Sequence, residues 1–163
     1  MSDSNLLPFK AKKTFDLFNK KFEEGREYGL HFLEVEVLIN EGLIDIIPLN
    51  SVDYRKMFKE EKESEKILDL KENFFNYARL SQKYLKEKSN LTDSDKKIYN
   101  DSSSALRNFL RLRAEKILKS LLIENEKIEV HEEELRFTSF IGEEISKWIL
   151  FRESIIKGDK YET

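Results

Sequence analysis

The sequence predicts a mainly α protein, a helical bundle with a small N-terminal α+β appendage. Three observations predict it. The stretch Ala105 to Leu122 contains no Gly or Pro and spaces Leu106, Phe109, Leu110, Ile117, Leu118 and Leu121 at steps of three, four and seven, one apolar face of a helix. A segment from about His131 to Ile156 repeats that spacing with Leu135, Phe140, Ile141, Ile145, Trp148, Ile149, Ile155 and Ile156. Two Pro and five Gly in 163 residues leave little turn chemistry for an all-β fold. Leu112 and Leu122 widen the face of the 105–122 stretch. A helix apolar on so broad a face needs packing partners on more than one side, so it is expected to be the central helix.

Taken in order, Met1 to Pro8 is polar and expected to fray. Phe9 to Phe22 interleaves Phe9, Phe15, Leu17, Phe18 and Phe22 with lysines, a pattern open to a short helix or a ragged strand. Glu24-Gly25 punctuates. Glu27 to Asn40 reads as a helix, with Gly42 at its C′ position, and Leu43 to Ile47 as a short strand ended by Pro48. Asn50-Ser51 is placed to cap a helix through Tyr54 and Phe58, with Lys59 to Glu65 solvated and Ile67, Leu68 and Leu70 packing the next corner. Lys71 to Lys88 forms a second helix carrying Phe74, Phe75, Tyr77, Ala78 and Leu85 inward. Thr92 with Asp95 resembles a capping box. The helix it opens leads, through a kink expected near Asp101 to Ser104, into the central stretch. Glu124 to Glu129 is a charged connector and Gly158 to Thr163 a tail. The organisation expected is 1–50 as a small α+β region, 51–157 as the bundle and 158–163 as the tail.

A hydrophobic content of 39% can build a core, which excludes wholesale disorder. Without cysteine there are no disulfides or thiolate metal sites. No signal-peptide pattern opens the chain and no apolar run reaches the roughly 18 residues of a membrane span, so a cytoplasmic protein is expected. Abundant Lys and Glu with one Gln, Gln82, resemble thermophile usage, although Asn is not scarce.

The sequence offers no catalytic constellation. His31 and His131 have no neighbour at ligand spacing, and the run Glu132-Glu133-Glu134 suits a helix N-terminus. No glycine loop cradles phosphate, and no histidine lies near Ser102-Ser103-Ser104. No enzyme, metal or cofactor is expected. Gly142 is read as a point of close helix approach. Arg107, Arg111, Arg113, Lys116 and Lys119 form a basic row on the central helix, open to three readings: a solvated or ion-paired face, a protein contact, or a nucleic-acid contact. The net charge of −3 gives no global attraction to nucleic acid. Phe74, Phe75, Tyr77, Phe137, Phe140 and Trp148 are expected in the core, and twelve Phe suggest surplus apolar surface covered in an oligomer.

The order of segments resembles the GINS family, small α-helical subunits of the archaeal and eukaryotic replicative helicase complex. Lys71-Glu72-Asn73-Phe74-Phe75-Asn76-Tyr77 is similar to the start of that family's core helix. Arg111, Arg113, Lys116, Ile117 and Leu118 match its R-x-R-x-x-K-I-L signature, and Glu132 to Ile156 resembles its closing helix. Gly25-Arg26-Glu27-Tyr28, then Leu30 to Gly42 and Leu43 to Ile46, resemble its small domain, whose strands look eroded before Gly25. A small domain ahead of the helical one is the order of the archaeal subunit related to the second and third eukaryotic subunits. The resemblance implies a scaffold without an active site. It would pair with a sister subunit in a heterotetramer and link the MCM helicase ring to a RecJ-like protein, with primase a further partner and DNA touched weakly or indirectly. Arg111, Arg113 and Lys116 would serve ion pairs between subunits or helices. Phe74, Phe75, Arg107 and Trp148 complete the interface and core candidates. The alternative is a helical DNA-binding regulator using the Arg107–Lys119 row.

Overall fold

The computed structural model describes residues 5–123 and 128–158. They form a mainly α protein with a small N-terminal α+β region. Strand β1 (Leu7–Ala11) is central in a three-stranded antiparallel sheet, between β4 (Glu27–Leu30) and β5 (Ile44–Ile46). Its alternation decides the register. Leu7, Phe9 and Ala11 are buried, with Phe9 opposite both Tyr28 and Ile46. Pro8, which cannot donate to a ladder, lies one residue before the β5 pairing begins at Phe9. A second sheet is the hairpin β2 (Phe15–Leu17) and β3 (Lys20–Phe22). Helix α1 (Phe32–Asn40) buries Val35 and Leu38.

The region therefore holds more strand than the sequence suggested. Phe9 to Phe22 resolves to strands, and β1, β2 and β3 stand where eroded strands were expected before Gly25. Glu27 to Leu30, read as the start of a helix, is β4, and Leu33 and Val37 point to solvent. Tyr28 explains the difference, because its ring closes an aromatic cluster with Phe9 and Phe22 that a helix could not reach. The glycine stop holds: Gly42, at φ +67°, follows the α1 cap, a conformation that costs glycine no Cβ clash. Leu7 and Pro8, expected to fray, belong to β1; residues 1–4 lie outside the described residues.

Helix α2 (Ser51–Glu63) starts on Asn50, whose side chain accepts from the Val52 amide at 2.8 Å while Asp53 reaches back to the Asn50 N–H. Helix α3 (Phe74–Lys88) begins three residues later than the pattern suggested. Helix α4 (Asp93–Leu122) opens on Thr92, which accepts from the Asp95 amide at 3.0 Å. It runs unbroken through the serines where a kink was expected. Ser102 is buried there and accepts from Gln82 of α3 at 2.8 Å, so the small residues let two helices approach. Helix α5 (Glu132–Lys157) closes the bundle, ending on Gly158 in the left-handed region. Connector residues 124–127 and tail residues 159–163 lie outside the described residues.

Two apolar clusters result. One joins the sheet to α1 around Leu7, Phe9, Phe22 and Val35; the other packs Tyr54, Phe74, Ala78, Ala105 and Phe109 between α2, α3 and α4. Each fully buried side chain of this kind contributes about 1.5–3 kcal/mol relative to exposure. Helix α3 serves both, since Tyr77 and Leu80 pack against the first cluster and the Tyr77 hydroxyl donates to the Ile47 carbonyl at 2.6 Å. Among the described residues the buried Tyr54 hydroxyl finds no hydrogen-bond partner. Burial pushes it up to about 12, and neighbouring Gln82 only tempers that shift.

Candidate protein-interaction face

Helix α5 is held by its first turns. His131 caps it: its Nδ1 accepts from the Glu133 amide at 3.1 Å, and its Nε2 lies 2.9 Å from the Glu72 carbonyl. A ring that accepts at Nδ1 must donate at Nε2, so these contacts assign the neutral Nε2–H tautomer. Glu134, three residues on, accepts from the His131 N–H. The acidic first turn thus does more than favour the helix dipole. Glu133 receives both arms of Arg79 on α3, one at 2.8 Å. That hydrogen bonding holds the Glu133 carboxyl below its ordinary range and raises Arg79.

Glu134 also accepts from Arg113 of α4, Nε to Oε1 at 2.8 Å and Nη2 to Oε2 at 2.7 Å. Arg113 donates further, to Glu61 of α2 at 2.8 Å and to the Leu68 carbonyl at 2.8 Å. Lys116 completes the group, bonding Glu61 through both its carboxylate and its carbonyl at 2.8 Å. Arg113 and Glu61 are each 1% exposed. Burial opposes the Arg113 charge, but the hydrogen bonds and charges of Glu134 and Glu61 outweigh it and raise the group. Such a cluster persists only with every member satisfied. Here it pins α2, α4 and α5 together.

Along one flank of the helix, on both sides of Gly142, Phe137 (72% exposed), Phe140 (70%), Trp148 (54%), Phe151 (37%) and Ile155 recur at helical spacing with apolar surface exposed. Leu118, Leu122 and Ile123 at the end of α4 are also exposed. The four aromatic rings, at about 150–250 Å² each and partly exposed, present on the order of 500 Å² of apolar surface, a patch of the size that is often functional. Beside the anchored turns, a groove of about 330 Å³ is lined by Phe75, Leu110, Ile117, Leu118, Phe137 and Ile141.

The residues singled out from sequence divide accordingly. Phe74 is core, edge-on to Phe75 at 5.1 Å and to Phe109 at 5.8 Å. Phe75 is half-buried, its ring edge-on to His131 at 4.8 Å. Arg113 and Lys116 turn inward to interhelix pairs, whereas Arg107 and Arg111 stay on the surface, Arg111 reaching only Glu115 at 3.6 Å. Phe137, Phe140 and Trp148, expected in the core, are exposed because α5 has no described helix packed on that flank. Trp148 rests on Phe151 at 5.6 Å. Gly142 faces Leu121, but an added Cβ would sit 3.7 Å away, ordinary contact, so no close approach requires glycine there. The sequence reading missed Glu61, taken as solvated. It stands seven residues after Tyr54, on the same buried stripe.

The chain matches no protein-family model and no curated protein. Among the described residues no group of acidic residues and histidines could hold a metal ion, and no helix is long and apolar enough to cross a membrane.

Proposed function

We propose that this chain is a non-catalytic scaffold subunit of GINS type, serving a replicative helicase by linking the MCM ring to a RecJ-like protein. The observation that carries the reading is the apolar flank of α5, where Phe137, Phe140 and Trp148 are exposed with no described helix packed on them. A sister subunit laid along α5 and the end of α4 would cover it, as the helical halves of an obligate complex do. The anchoring cluster supports this role. Arg113 and Glu134 fix the first turns of α5 and so preset the direction of the remaining face. The order of the small α+β region ahead of the bundle agrees with the subunit class named above.

A DNA-binding regulator built on the basic row draws less support, since Arg113 and Lys116 spend their charge on Glu61 and Glu134. Co-purification with a GINS-type sister subunit, and then with MCM and RecJ-like proteins, tests the proposal. Retention of the sister by the wild-type chain and its loss in Phe140→Glu is the expected result. Equal recovery with both chains, or none with either, counts against it.

A further inference from the structure

The β2–β3 hairpin turns on two residues, Phe18 and Asn19, between the paired Leu17 and Lys20. Both have positive φ, 51° and 58°, as a two-residue type I′ turn requires. Asparagine tolerates that backbone. Phenylalanine is disfavoured there, because its Cβ crowds the following carbonyl, and such turns ordinarily take Asn-Gly or Asp-Gly. Within the fold the ring gains little packing in return. Phe15 and Phe22 stack at 4.9 Å and Phe22 meets Phe9 and Tyr28, whereas Phe18 is 61% exposed and joins no ring contact among the described residues. A strained backbone that holds an aromatic ring out in water is not explained by folding.

The surroundings of the ring are basic. Lys20 shares a hairpin face with Leu17, and Lys21 lies on the other face opposite Asp16, so the two lysines leave opposite faces of the hairpin beside the turn. Lys13 stands exposed just before β2. Among the described residues, none of these three enters an ion pair; Lys12 alone of the nearby lysines does, with Asp45 at 3.8 Å.

We propose that this hairpin is a contact for single-stranded nucleic acid, with Phe18 stacked on a base and Lys13, Lys20 and Lys21 on flanking phosphates. Lysine serves a phosphate as a point charge, and an exposed ring stacks on any base without reading its identity. An acidic protein surface would match the lysines. A single exposed ring, with the half-buried Leu17 as its one apolar neighbour in the hairpin end, is however unlike the clustered apolar centre on which protein interfaces are built. The hairpin is distinct from both the α5 flank and the Arg107–Lys119 row.

Fluorescence anisotropy of a labelled oligo-dT of about twenty nucleotides, titrated with the full chain at several salt concentrations, tests this. Binding at low salt is expected, with a log–log salt slope of about −2, the value for three lysines on a single strand. Phe18→Gly should weaken it at least about five-fold without changing the slope, while raising the urea midpoint because the turn strain is relieved. Phe18→Trp should retain binding, and Lys20→Ala with Lys21→Ala should bring the slope to about −0.7. No binding at low salt, binding indifferent to Phe18→Gly, or loss only on changing Arg107 and Arg111 overturns the proposal. So does equal competition by polyglutamate, which would point to an acidic protein instead.

Discussion

Arg113 of α4 grips Glu134 of α5 through two parallel hydrogen bonds of 2.8 and 2.7 Å, and the same guanidinium reaches Glu61 of α2 at 2.8 Å. One side chain thus fixes three helices. Planarity and a set fork of donors are what the site uses, so lysine would not replace it.

Truncating Arg113 strips the partner from the buried Oε2 of Glu61, leaving Lys116 and the Leu68 amide on Oε1 alone. Arg113→Ala is expected to cost about 3–5 kcal/mol of unfolding free energy by urea titration. A loss under about 1 kcal/mol would show that water or a rearranged Lys116 meets the need. Arg111→Ala, on the exposed side of the same helix, should change stability by less than about 0.5 kcal/mol.

The Arg79–Glu133 pair gives a pH signature. Glu133 is lowered in the folded chain, chiefly by the Arg79 hydrogen bonds. Its stabilising contribution is therefore complete above the unfolded carboxylate value of about 4.3 and is lost as pH falls through the lower folded value. The gap in urea midpoint between wild type and Arg79→Met should be present near neutral pH and vanish in acid. It should be small, because the pair is well exposed and screened. A gap that widens in acid would contradict the assignment.

Tyr54 offers the opposite case. Its buried hydroxyl lacks a partner among the described residues, so Tyr54→Phe removes an unsatisfied group while keeping the ring. Stability at neutral pH should be unchanged or raised by up to about 1 kcal/mol. The folded hydroxyl is raised to about 12 by burial, above the ordinary 10. Wild type therefore loses stability as pH climbs from about 10, and the variant should lose less. A drop of more than about 1 kcal/mol at neutral pH would reveal a hydrogen bond the geometry lacks.

Much of the fold was legible in the sequence, and the gaps have physical causes. Caps at Asn50 and Thr92 and the stop at Gly42 were readable because each depends on a local side chain or a local φ. Strand β4 was not, because Glu27 to Leu30 is held by distant Phe9 and Phe22 rather than by its own pattern. The buried pair was within reach. Arg113 falls on the stripe Ser102, Ala105, Phe109, Arg113, Ile117, and Glu61 on the stripe of Tyr54, so two opposite charges occupy core positions. Grouping Arg113 with its exposed neighbours by charge type concealed that. Surplus apolar surface was legible from the twelve Phe, but its place on α5 was not, since helical spacing of apolar residues looks the same whether the face packs within the chain or against another.

The exposed flank should matter for association and not for folding. Trp148→Glu and Phe140→Glu are expected to leave the urea midpoint of the isolated chain within about 0.5 kcal/mol of wild type, because neither ring is buried. Coverage by another chain should shift Trp148 emission to shorter wavelength. A variant that unfolds would place Trp148 inside the fold, and an emission that stays put in the complex would show that the partner leaves this flank bare.

Light-scattering mass of the purified chain, alone and co-expressed with a GINS-type sister subunit, is the measurement to make first. A larger complex of defined mass that forms only on co-expression, and that Trp148→Glu dissolves, is the predicted result. A monomer or homodimer that keeps its mass in the presence of the sister would contradict it.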